Sequence, residues 1–155
     1  MSPGLDFETQ LIARPNAAEV LEAELRRPSY RVAPLAIGTN TDPYQPVEGT
    51  QTIMRQCLEV LNAFDHPVTI VTKGTLIERD ADILGEMAQK GLVEVGVSIT
   101  TLDQKLARAM EPRVPSPARR LKIIKTLASQ GIPMRVMVSP VVPGLTDHEA
   151  ERILE

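Results

Sequence analysis

A chain of 155 residues, 43% of them hydrophobic, is long enough for one domain with its own core, and its apolar runs are strand-sized, short of the roughly 20 residues of a membrane span. The net charge of −3 lacks the overall basic footprint of nucleic-acid-binding domains, and four aromatic residues without a tryptophan offer no stacking platform for unpaired bases. One cysteine, Cys57, excludes an internal disulfide framework and an all-cysteine metal site within the chain.

Residues 1–4, Met-Ser-Pro-Gly, lack the charged and apolar regions of a signal peptide, so the expected location is the cytoplasm. Asn16 and Glu19 have the spacing of a capping box, and Val20, Leu21 and Leu25 supply the apolar stripe of a first helix that stops at Arg27 and Pro28. "VAPLAIGT" (residues 32–39) reads as a buried strand whose regular part follows Pro34, and a polar loop, "NTDPYQPVE", comes next. Residues 50–64 carry Ile53, Cys57, Leu61 and Phe64 at helical spacing, and the β-branched run "HPVTIVTKG" is a second strand. Residues 80–90 form a helix stopped by Gly91, "LVEVGVSIT" a third strand, and residues 103–110 a short helix before the proline-rich "EPRVPSP". Ser116 caps a further helix with Pro117 in its first turn, Leu121, Ile124 and Leu127 inward, and Gly131 as its stop before the strand "PMRVMVSPVV". Thr146 and Glu149 predict a capping box for a last helix that reaches Glu155 without a stop signal, which leads us to expect a chain cut at that point.

Four strands alternating with helices predict a parallel sheet, either a partial TIM-like β/α barrel or, as the second choice, an open doubly wound sheet. In both, ligands lie at the carboxyl ends of the strands. Those ends are polar: Thr39, Asn40, Thr41 and Asp42 after the first strand, Thr72 and Lys73 after the second, Ser98, Thr100 and Thr101 after the third, Ser139 and then residues 140–144 after the fourth. A carboxylate to accept from an ammonium, a lysine to bind a carboxylate, hydroxyls for ribose and an apolar wall suit a zwitterionic ligand that carries a sugar. The competing explanation for each residue is ordinary turn chemistry.

Lys73 also suits a Schiff-base nucleophile in an aldolase-type barrel. Cys57 is expected to be a buried structural thiol, His66 a structural residue at the wrong end of its strand, and His148 a surface histidine. Between Arg108 and Lys125 there are six basic residues and one acid, Glu111, the only candidate for contact with phosphate, with Arg119 and Arg120 at its centre. That stretch carries the third reading, a non-enzymatic binding module. Arg113 lies in a loop on the strand-end side and is the better candidate for a small ligand.

The segments "GTNTDPYQPVE", "VTIVTKG", "VEVGVSITTLD", "EPRVPSPARR" and "VSPVVPGLTDHE", in this order and at strand ends, resemble the radical S-adenosylmethionine superfamily, in its spore photoproduct lyase-like or DNA repair photolyase-like branch. The resemblance implies that residues 1–155 are the central part of a single barrel domain, incomplete at both ends. It also implies a [4Fe-4S] cluster held by a three-cysteine loop that this sequence lacks, bound S-adenosylmethionine, an electron donor, a 5′-deoxyadenosyl radical, and lyase chemistry on a substrate such as nucleic acid. By the same resemblance Thr41 and Asp42 lie beside the methionine amino group, Lys73 reaches the methionine carboxylate with Arg113 on the same side, and Ser98 lies near the ribose. Val142, Pro143 and Gly144 border the adenine. Thr39 departs from the pattern, standing where spore photoproduct lyases carry a cysteine that returns a hydrogen atom, which a threonine hydroxyl cannot do. Without a cluster the chain is expected to be inactive alone.

Overall fold

The computed structural model describes residues 11–155, so the expectation for residues 1–4 lies outside the described residues. Four strands, β1 (Leu35–Ile37), β2 (Val68–Thr72), β3 (Val93–Ser98) and β4 (Met134–Met137), form one sheet in the order β1-β2-β3-β4. Every neighbouring pair is parallel, with Leu35 beside Val68, Val68 beside Val93 and Val95 beside Met134. Helix α1 (Ala17–Leu25) precedes β1. Helices α2 (Glu48–Gln51) and α3 (Ile53–Ala63) separate β1 from β2, a 3-10 turn (Thr75–Asp80) and α4 (Ala81–Gln89) separate β2 from β3, and α5 (Gln104–Met110) and α6 (Pro117–Ser129) separate β3 from β4. A 3-10 turn (Asp147–Glu149) and α7 (Ala150–Leu154) follow. Sequential parallel strands with helices in each crossover make the arrangement of a partial β/α barrel, as the alternation predicted. No helix among the described residues is long and apolar enough to cross a membrane.

The centre of the sheet is covered because β3 is buried on both faces. Val95, Gly96, Val97 and Ser98 are buried without a break, which is why β3 reads as a continuous run and not an alternation. Leu58 and Leu61 of α3, Leu84 and Met87 of α4, and Ile123 and Leu127 of α6 pack against it at zero exposure. Burial of each such side chain contributes roughly 1.5–3 kcal/mol.

Several expectations are corrected in register. On α3 the buried stripe is Met54, Leu58 and Leu61, while Ile53 and Cys57 are half-buried at its margin. On α6 it is Pro117, Arg120, Ile123 and Leu127, with Leu121 and Ile124 half-buried. Helical periodicity defines the stripe to within a residue, and the sheet partners decide which adjacent column turns inward. On α1, Ala18 is buried and Val20 is exposed. Asn16 makes no side-chain cap there, since its backbone (φ −89, ψ 15) is not extended and its oxygen does not meet the orphan N–H groups. The cap predicted at Ser116 does form, to Arg119 N at 3.4 Å, and the structure adds one at Asp103, whose side chain accepts from Leu106 N at 2.8 Å. The single helix expected over residues 50–64 breaks at Thr52 (φ 49), where the Glu48 carboxylate accepts from Met54 N at 2.9 Å and so caps α3 from six residues upstream.

Candidate functional site

The loop after β1 is stitched to the end of β2 by one carboxylate. Asp42 Oδ1 accepts from Tyr44 N at 2.9 Å and from Thr72 Oγ1 at 2.6 Å, and Oδ2 accepts from Lys73 N at 2.7 Å. Gly38 and Gly74 permit this approach. Gly38 has φ +93, and a Cβ there would stand 2.0 Å from Val71 O; at Gly74 it would stand 2.7 Å from the Tyr44 carbonyl. Asp42 thus spends three of about four lone-pair sites on its own chain, while Thr41 beside it is exposed.

The Lys73 side chain leaves this stitch and pairs with Glu111. The other Glu111 oxygen accepts from Arg120 Nη2 at 2.8 Å and lies 3.1 Å from Thr100 Oγ1. Arg120 is fixed in turn, donating from Nη1 to Ser98 O at 3.0 Å and from Nε to Pro115 O at 2.8 Å. Exposure falls along the row, with side chains 28% exposed at Lys73, 12% at Glu111 and 1% at Arg120. Burial pushes the Glu111 pKa up, but hydrogen bonds from Lys73 and Arg120 outweigh it and hold the carboxyl below its ordinary value. A charged carboxylate against Nζ leaves an ion pair where a Schiff base needs a free amine.

The third and fourth strand ends are joined by a third acid. Glu149 accepts from Thr101 Oγ1 and, at 2.9 Å, from Leu102 N, and its pKa is lowered chiefly by the bond from Thr101. The capping box expected between Thr146 and Glu149 is therefore absent: Thr146 Oγ1 instead accepts from Val142 N at 2.9 Å and closes the turn of Val142, Pro143 and Gly144. Gly144 N donates to Asp147 Oδ1 at 3.0 Å. Thr100 Oγ1, 3.1 Å from Ser139 O, links this turn's approach to the Glu111 cluster.

Among the candidate residues, the structure brings Asp42 and Lys73 together and sets Ser98 behind Arg120 through its carbonyl. Arg113 is exposed, two residues beyond Glu111. Glu111, Arg120 and Glu149 were not among the expected site residues. Arg119 and Arg120, the residues of the binding-module reading, are both engaged within the chain: Arg120 is buried in the triad and Arg119 pairs with Glu78. The cleft beside Glu111 and Arg120 has a volume of about 10 Å³, room for a water and not for a nucleoside.

The remaining titratable candidates stand apart. His66 is buried at the amino end of β2, with Nε2 2.7 Å from Tyr30 Oη and Nδ1 3.0 Å from Pro67 O, a structural setting as expected. His148 is exposed. The Cys57 thiol is half-buried, and burial, then the Glu48 charge, push its pKa up. No group of three or more His, Cys, Asp or Glu that could hold a metal ion occurs among the described residues.

The sequence profile of the Radical SAM superfamily matches residues 12–155. An uncharacterized protein of Mycobacterium tuberculosis is 45% identical over 146 residues, 94% of this chain and 43% of that protein. An uncharacterized protein of Methanocaldococcus jannaschii is 31% identical over 109 residues, 70% of this chain and 40% of that protein. A probable GTP 3′,8-cyclase of Methanopyrus kandleri is 32% identical over 93 residues, 58% of this chain and 29% of that protein. The chain thus spans less than half the length of the curated relatives it matches. No solved structure matches it.

Proposed function

The chain belongs to the Radical SAM superfamily, and from that premise we propose that residues 1–155 are part of a single barrel domain that holds S-adenosylmethionine across the carboxyl ends of β1 to β4. The observation that carries this reading is Lys73: an ammonium at a strand end that spends one of its three donors on Glu111 and keeps two for a ligand carboxylate. In the proposal Thr41 and Asp42 meet the ligand's amino group, the one open lone-pair site of Asp42 accepting an N–H, and Arg113 lies on the carboxylate side. Ser98 faces the ribose, and Val142, Pro143 and Gly144 border the adenine. S-adenosylmethionine, when bound, supplies the radical chemistry of the superfamily; this chain's residues bind and orient it and exclude water.

These residues do not fit a [4Fe-4S] cluster. Cys57 is the one cysteine of the sequence, half-buried on α3 beside Glu48 with its pKa raised, whereas such a cluster is held by several cysteine thiolates. In the proposal the cluster ligands and the contact with the electron donor belong to sequence beyond these 155 residues. The order of the strand-end segments favours the spore photoproduct lyase-like branch, with nucleic acid as a substrate class. Thr39 argues against thymine-dimer repair by a thiol hydrogen donor.

Isothermal titration of S-adenosylmethionine into the full chain tests the reading. Lys73→Ala should weaken binding about tenfold, the worth of one charge-assisted hydrogen bond. Absence of heat from the wild-type chain would overturn the ligand, and equal affinities would overturn the assignment of Lys73.

A further inference from the structure

We infer that Glu111 is a positioning residue that aims the Lys73 ammonium at the ligand's carboxylate, an inference that rests on the S-adenosylmethionine reading of Lys73. A lysine at a strand end has a long rotatable stem, and fixing it at the moment of binding carries an entropic penalty. Here the fixing is already done. Glu111 holds Nζ, Arg120 and Thr100 hold Glu111, and the carbonyls of Ser98 and Pro115 hold Arg120. The anchor therefore runs from the end of β3 to a side chain at the end of β2.

The charges make the arrangement suited to an anion. A lysine paired with a carboxylate alone would be neutral and would attract no second carboxylate. Arg120, 1% exposed behind Glu111, leaves the row of two cations and one anion with a net positive charge, and Lys73 is its most exposed member. Burial of the other two members strengthens that field over what the same charges would give in water. A purely structural role would need only the Arg120–Glu111 pair, whereas the second oxygen of Glu111 is spent on Lys73.

Glu111→Asp separates aim from charge. Aspartate keeps the negative charge and can keep Arg120, but it is one methylene too short to reach Lys73 as well. Affinities for S-adenosylmethionine and for its decarboxylated analogue, which retains amine, ribose and adenine, are measured by titration in the full chain. The wild-type chain should prefer the carboxylate ligand about tenfold, and Glu111→Asp should lose most of that preference with affinity for the analogue unchanged. A preference lost in Lys73→Ala but intact in Glu111→Asp overturns the role of Glu111 alone. A wild-type chain with no preference overturns it together with the reading of Lys73. Should Glu111→Asp fail to fold, acylation kinetics of the wild-type chain decide: Lys73 should react about tenfold more slowly than the exposed Lys122 and Lys125, and equal rates overturn the tether.

Discussion

Asp42 and Lys73 are joined through main chain and not through their charges: Asp42 Oδ2 accepts from Lys73 N at 2.7 Å, while the Lys73 ammonium turns to Glu111, 38 residues further along the chain. The acid fixes where the lysine backbone stands, and a different acid fixes where its side chain points. Around Lys73 the strand-end surface thus uses two carboxylates with separate tasks, each bound to its own chain before any ligand arrives.

Removing the first of them should be felt as stability. Asp42→Ala leaves two backbone N–H groups and the Thr72 hydroxyl without their acceptor, and the expected loss is about 2–4 kcal/mol. Urea unfolding should show a lower midpoint with an unchanged slope. A loss under about 0.5 kcal/mol would mean that water replaces the carboxylate and that the stitch is incidental.

Arg120 should behave as a buried charge with one ionic partner. Arg120→Met leaves Glu111, 12% exposed, with Lys73 as its one ionic partner and opens the carbonyls of Ser98 and Pro115, so the single substitution should cost about 3–5 kcal/mol. Pairing it with Glu111→Met removes the stranded acid and should restore part of that loss. The double variant being as unstable as the sum of the singles would show that the pair is not coupled.

Much of this fold was legible because helix and strand periods alternate cleanly: all four strands and the cap at Ser116 follow from local pattern. The rotation of α3 and α6 was not, because adjacent columns such as Cys57 and Leu58 are both apolar enough to face inward and only the sheet chooses between them. Glu111 was hidden for another reason. Its partners lie 38 residues before and 9 after it, so no local spacing announces the triad. The available signal was contrast, a lone acid in a basic stretch, which reads as a solvated face until Arg120 is seen to be buried. At Thr146 and Glu149 a correct local motif lost to a long-range one, since Glu149 reaches Thr101, 48 residues away.

The lowered pKa of Glu111 gives the direction of a pH effect. The unfolded chain takes up the proton at a higher pH than the folded chain, so the contribution is complete above the ordinary glutamate value of 4.5 and is lost as pH falls through the lowered one. Asp82, pulled from 3.8 to about 2 mainly by the hydrogen bond from Arg55, acts in the same sense, though at 61% exposure its pairing is screened by solvent and salt. Unfolding free energies of the wild-type chain and Glu111→Gln should therefore converge as the pH falls from the ordinary value of 4.5 through the lowered one. A gap that stays constant across that range would show that Glu111 is not ionised in a favourable field.

Gly38 tests whether the approach of the β1 end to β2 matters to the site. Its φ of +93 is open to glycine and strained for other residues, and a Cβ would meet the Val71 carbonyl at 2.0 Å, inside any real contact. Gly38→Ala should destabilise by about 3 kcal/mol or more, combining the unfavourable dihedral with displacement of the strand. Because the loop that follows carries Asp42, the displacement should also loosen the Asp42 bond to Lys73 N, and hydrogen exchange at that amide should quicken more than at Val95 in the buried β3. If Gly38→Ala leaves the Lys73 amide as protected as in the wild-type chain, the loop is held by Asp42 independently of the strand beneath it, and the close approach at Gly38 serves packing alone.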